Sequence, residues 1–317
     1  MQRREAPRNE EPFEAIAPNA VLRGTLTSPA ERGPVPALVV AHGAAFGLGA
    51  ARIYTQLLEP ALAEGVAVLR YDRRGEGEST GSPGDATLDD LADDLLACVR
   101  ALQGKPGIRS DRVGLWGISQ GGWVAALAAA ADPSIAGIVA VSASGTGPAE
   151  QMEYAIDTTM RAAGYDQPAV EAALSARRIV GRWLDGMCET EAAQAAIDSI
   201  RDEPWFPLAY LGDLNEDTRA ADRAWMQFDV RPALRRISVP VLLLLGDRDR
   251  WVDTARSREI WQAGLVNAEL TVVTLPGAGH FPTLATDPDL IDVEESGPTH
   301  PEYVTRLRDW VRSVLLE

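Results

Sequence analysis

The stretch Arg112-Val113-Gly114-Leu115-Trp116-Gly117-Ile118-Ser119-Gln120-Gly121-Gly122-Trp123-Val124-Ala125-Ala126-Leu127 decides the fold. Val113 to Trp116 is a short apolar run of strand type, and the alanine-rich run from Trp123 is of helix type, so Ser119 falls where a strand turns directly into a helix. Such a turn forces the serine into a strained backbone conformation and leaves almost no room for side chains two residues to either side. Gly117 and Gly121 occupy those positions. The arrangement reads as a nucleophile elbow, which lifts a hydroxyl above the sheet edge and aims the first N–H groups of the helix at whatever the serine attacks. Glycine and serine also meet in ordinary turns, so the chemistry depends on what the rest of the chain supplies.

On both sides of the elbow, buried strands alternate with helices. Ala37 to Ala41, Val66 to Tyr71, Ile135 to Val141 and Val239 to Gly246 are continuous apolar runs of the kind buried on both faces of a parallel sheet, and Ala268 to Leu275 reads as the last strand. Ile53 to Glu64, a segment capped by Thr87 and running to Gln103, Thr254 to Ala263 and Pro301 to Leu316 carry helical patterns. This order predicts an α/β fold, a mostly parallel sheet with helices on both faces. Phe13 to Ala17 and Val21 to Leu26 around Pro18-Asn19 predict an antiparallel hairpin at one edge, preceded by a flexible tail over residues 1–12.

The alternation breaks over residues 146–229, which hold helical patterns (Glu150 to Ala163, Pro168 to Leu184, Thr190 to Arg201, Thr218 to Gln227) with no strand between them. An inserted helical cap explains this, leaving 13–145 and 230–317 as the core. The aromatic side chains of Trp205, Phe206 and Tyr210 in the linking segment are candidates for shaping a substrate pocket, against the plainer role of packing the cap.

Composition narrows the function classes. The 317-residue chain is 46% hydrophobic and 24% charged, as in globular proteins, and its net charge of −16 disfavours nucleic acid and anionic membrane surfaces. Paired Arg3-Arg4 has no apolar run behind it, and no segment offers the ~20 apolar residues of a membrane span, so a cytoplasmic location is expected. Cys98 and Cys188 fall in unrelated helical patterns and are expected to be buried thiols, with no metal cluster. Nothing in the sequence sets the oligomeric state.

Strand ends carry the chemistry. In an open parallel sheet their C-terminal loops lie on one edge, where ligands bind. Those loops hold His42-Gly43-Ala44, Ser119, the pair Asp247 and Asp249, and His280. A serine hydroxyl needs a base to take its proton, and an imidazole needs a carboxylate to hold its tautomer. Of the three histidines, His42 belongs to an early turn and His300 to a polar segment before the last helix, leaving His280. Asp247 and Asp249 both stand in the right loop. Asp249 is favoured because it lies a few residues beyond the strand's closing glycine.

With these motifs, and with Tyr71-Asp72-Arg73-Arg74-Gly75-Glu76-Gly77-Glu78-Ser79, the chain resembles the α/β-hydrolase superfamily over about residues 20–317, most closely small bacterial carboxylesterases with a helical cap. The resemblance implies Ser119 as nucleophile, His280 as base and Asp249 as acid, with no cofactor. It also implies an oxyanion hole from the N–H groups of Gln120 and of Ala44 or Ala45, Ala44 being favoured. The expected activity is hydrolysis of small to medium carboxylic esters through an acyl-enzyme. Thioesterases, acyltransferases and aminopeptidases share the same triad, and a non-catalytic receptor on this fold is the alternative from another class. The Tyr71 to Ser79 segment itself reads as a structural turn whose charged side chains pin neighbouring loops.

Overall fold

The computed structural model describes residues 7–30, 33–44, 52–82, 86–284 and 297–317. Strands β1 (Arg8–Ala17) and β2 (Ala20–Pro29) form the edge hairpin, paired residue for residue from Arg8 opposite Pro29 to Ala17 opposite Ala20, with Asn19 turning the chain at φ 61°. The expected flexible tail to residue 12 is therefore corrected: residues 8–12 are strand. Their charged side chains face water from an edge strand, which needs backbone pairing but no apolar pattern, and Arg8 reaches Glu59 at 2.5 Å.

The rest of the sheet is parallel. It comprises β3 (Val35–Ala41), β4 (Ala67–Tyr71), β5 (Ile108–Ile118), β6 (Ile138–Val141), β7 (Val241–Gly246) and β8 (Leu270–Leu275). Among the described residues the strand order is β1-β2-β4-β3-β5-β6-β7-β8, with β2 antiparallel to β4. Strands β3, β6 and β7 lack polar side chains because both faces are covered. Ala37, Val39 and Ala41 enter one apolar core while Leu38 and Val40 enter the other, and Val241, Leu243 and Leu245 alternate with Leu242 and Leu244 in the same way.

Helices α1 (Arg52–Ala63), α2 (Leu88–Gln103) and α3 (Gln120–Ala131) connect these strands. Thr87 caps α2 as its sequence suggested, in a capping box with Asp90. Between β6 and β7 the described chain is helical: α4 (Pro148–Ala162), α5 (Gln167–Leu184), α6 (Thr190–Asp198), a 3₁₀ turn (Phe206–Ala209), α7 (Arg219–Met226) and α8 (Arg231–Leu234). The helices α4 to α6 bury apolar clusters of their own, one around Ile156, Met160 and Leu174 and one around Trp183 and Ile197. After α9 (Thr254–Gly264) and β8, α10 (Pro301–Trp310) packs on the α1 face of the sheet. No helix among the described residues is long and apolar enough to cross a membrane. Cys98 is buried as expected, whereas Cys188 is only half-buried because it lies just past α5, at the edge of its cluster.

Candidate active site

The elbow is as crowded as its glycines require. A Cβ on Gly121 would lie 2.0 Å from the Ala41 carbonyl oxygen, and one on Gly117 would lie 2.2 Å from the carbonyl oxygen of Gly121. Strand β5 and helix α3 can pass each other only without those carbons. Between them Ser119 adopts φ 54° and ψ −123°, a region that costs a residue with a side chain about 1–3 kcal/mol. Its hydroxyl does not cap α3 and makes no hydrogen bond among the described residues, and Ser119 lines the cavity. Gln120 begins α3, and a first helical N–H has no acceptor inside its own helix.

His280 follows β8 and meets the loop after β7. Its Nδ1 stands 2.9 Å from Oδ2 of Asp249, whose other oxygen accepts from the N–H groups of Trp251 at 2.8 Å and Val252 at 3.0 Å. The carboxylate is buried and fully engaged. With Nδ1–H donating to Asp249, the tautomer leaves the Nε2 lone pair free. No hydrogen bond joins that nitrogen to Ser119, although both residues line one cavity. Asp247, the other candidate, is exposed and accepts from Gly277 N–H at 2.6 Å, which ties the β7 and β8 loops together.

The loop after β3 completes the edge. Gly43 N–H donates to the Tyr54 hydroxyl at 3.1 Å, and Arg73 donates to the Gly43 carbonyl at 3.3 Å. Ala44 lines the cavity beside Ser119, while the alternative, Ala45, lies outside the described residues. His42 is buried between the rings of Tyr54 and Tyr71, each 5.1 Å away, and neither of its nitrogens has a partner. Burial, with Arg73 adding to it, lowers its pKa to about 3, and burial pushes Tyr54 up to about 12, so both are neutral. His300 caps α10 by accepting from Glu302 N–H. Neither His42 nor His300 lines the cavity.

The cavity has a volume of about 150 Å³ and walls that are almost wholly apolar. Its aromatic lining comes from Tyr54, Trp123, Trp225, Trp251 and Phe281. This corrects the expectation for Trp205, Phe206 and Tyr210, none of which is among its described lining residues. Trp205 is buried within the apolar cluster of α4 and α5, Phe206 packs against the same cluster, and Tyr210 backs the wall, with its ring 5.0 Å from that of Trp251. Aromatics between helices are drawn into the nearest core, and sequence does not show which core is nearest. Trp251 carried a usable signal, since it stands two residues past Asp249. Trp123 carried a weaker one, a full turn after Ser119; its ring lies 5.8 Å from that of Trp225 and so joins α3 to α7.

Further residues that the sequence did not single out brace the acid and the base. Ser142, at φ 45° just past β6, donates to the His280 carbonyl at 2.7 Å. From α4, Tyr154 donates to the Asp249 carbonyl at 3.2 Å and Thr158 to that of Arg250 at 2.6 Å.

Comparison with known proteins agrees with the architecture. Over 238 residues the chain is 28% identical to the polyketide transferase grgF of Penicillium sp, a match spanning 74% of this chain and 67% of that protein. It is 35% identical over 121 residues to the thiohydrolase aneE of Aspergillus aculeatus, covering 38% of this chain and 37% of that one. The Pyrococcus furiosus esterase Pf2001 superposes with a TM-score of 0.61 at 20% identity, over 97% of this chain and 92% of the other. The sequence profile of the alpha/beta hydrolase family matches residues 38–292, and the chain belongs to that family.

Proposed function

We propose that the protein is a serine hydrolase acting on uncharged carboxylic esters of small to medium size through an acyl-enzyme. The observation that carries this reading is the 2.9 Å contact of Asp249 with His280, in one apolar cavity with the strained Ser119. Ser119 Oγ bonds to the acyl carbon as its proton passes to His280 Nε2, and the carbonyl electron pair moves onto oxygen. The N–H groups of Ala44 and Gln120 receive that oxyanion. Collapse of the adduct expels the alcohol, which takes the proton from His280; water then repeats the sequence and releases the acid. Asp249 holds the imidazole and stabilises its cationic form. The separation of Ser119 from His280 closes in this reading when substrate fills the cavity, since such bonds are often long in the free enzyme. No cofactor enters the cycle.

The names of the two curated relatives, a polyketide transferase and a thiohydrolase, favour a second reading in which the acyl group arrives as a thioester. The chemistry at Ser119 is the same, with a thiolate leaving. Both readings are tested by measuring hydrolysis of p-nitrophenyl esters from acetate to palmitate beside the matching N-acetylcysteamine thioesters, with Ser119→Ala as control. Serine-dependent turnover of esters over thioesters supports the first reading, and the reverse order the second. Equal activity in Ser119→Ala would sink both.

A further inference from the structure

Consecutive arginines leave β4 with different partners. Arg74 forms a buried bidentate pair with Asp94, at 2.7 and 2.8 Å. Its charge is thereby matched. Arg73 is half-buried and makes no salt bridge among the described residues, and its hydrogen bond goes to the Gly43 carbonyl at 3.3 Å. Drawing a guanidinium partly out of water is unfavourable unless hydrogen bonds offset it, so its placement against the Gly43 carbonyl calls for a reason beyond packing.

The peptide it touches is the one that links Gly43 to Ala44. No cis bond occurs among the described residues, and the carbonyl and N–H of a planar trans peptide point in opposite directions. Holding the Gly43 carbonyl toward Arg73 therefore turns the Ala44 N–H away from it. This peptide adjoins the elbow, since a Cβ built on Gly43 would lie 3.7 Å from Ser119 Cβ. The preceding N–H, that of Gly43, is already taken by the Tyr54 hydroxyl. That leaves the Ala44 N–H as the next donor along the loop. A cation on the carbonyl also polarises the peptide and strengthens the N–H at its far side.

We propose that Arg73 is a positioning residue for the oxyanion site: its guanidinium holds the Gly43 carbonyl so that the Ala44 N–H meets the oxygen of the acyl group attacked by Ser119. The inference rests on Ser119 being the nucleophile. It assigns one charge of the segment from Tyr71 to Ser79 to the chemistry, whereas Asp72 and Ser79 hydrogen-bond within the turn and Arg74 ties it to α2.

The test compares wild type with Arg73→Met, Arg73→Gln and Arg73→Lys, reading p-nitrophenyl butyrate kinetics and inhibition by an alkyl trifluoromethyl ketone, which forms a tetrahedral oxyanion. Arg73→Met should lower kcat about tenfold with little change in KM, less than the ~10²–10³ of losing a donor outright. Inhibitor affinity should fall by a similar factor, and Arg73→Lys should recover part of both. Where Arg73→Met does not fold, Arg73→Gln takes its place. A loss confined to KM, an inhibitor affinity that ignores kcat, or variants as active as wild type would overturn the role. A wild type that a fluorophosphonate fails to label at Ser119 removes the nucleophile reading itself, and this role with it.

Discussion

Asp249 and His280 are 31 residues apart in the chain and 2.9 Å apart in space, and Asp247, two residues from Asp249, is turned away to the backbone of Gly277. The loop after β7 thus sorts two like side chains by direction: one is buried against the imidazole, and the other braces an exposed turn.

That sorting predicts opposite outcomes for the same chemical change. Asp249→Asn removes the charge that stabilises the imidazolium and disturbs its tautomer, and should lower kcat by about 10²–10⁴ with the fold retained. Asp247→Asn should leave kcat within about twofold. Steady-state kinetics on one p-nitrophenyl ester check both, and a larger loss in Asp247→Asn would reverse the assignment.

The crowding at the elbow makes Gly121 intolerant of even one carbon. Its Cβ would sit 2.0 Å from the Ala41 carbonyl oxygen and 2.9 Å from that of His42. Both are backbone atoms that cannot swing aside. Gly121→Ala should cost about 1–3 kcal/mol of stability and displace α3 from Ser119. Thermal unfolding and fluorophosphonate labelling should both register the change.

His42 predicts a pH-dependent stability unconnected with catalysis. Folded, its pKa is lowered to about 3 by burial; unfolded, it returns to the ordinary 6.5. Between those values the unfolded chain binds the additional proton, so stability is fully present above about pH 6.5 and declines as the pH falls, by up to about 1.4 kcal/mol per unit from this group. His42→Phe keeps the contacts with Tyr54 and Tyr71 and forfeits no hydrogen bond. Its unfolding midpoint should fall less steeply than that of wild type between pH 6 and 4.

The aromatic residues separate by location. Trp225 lines the cavity, so Trp225→Ala should lengthen the acyl chain at which the p-nitrophenyl ester series peaks. Trp205 is buried in the cluster of α4 and α5, so Trp205→Ala should cost about 3 kcal/mol and leave that profile in place. A shifted profile in Trp205→Ala would contradict the lining described above.

Local rules made much of this protein readable from its sequence. Apolar runs of strand length, helical periodicity and the Thr87 cap act within a few residues of one another, and the structure places strands and helices where those signals stood. That Ser119, His280 and the loop holding Asp247 and Asp249 share one edge was legible for a related reason: parallel strands bring their C-terminal ends together, so residues just past a strand converge whatever their separation in the chain. Orientation was not legible. Which of Asp247 and Asp249 turns inward, which aromatics face the cavity, and that Arg73 reaches Gly43 while Arg74 reaches Asp94 depend on the angles at which loops leave the sheet and on the helices packed above it. Sequence spacing brings such residues near the edge, and only packing between distant segments decides which atoms meet there.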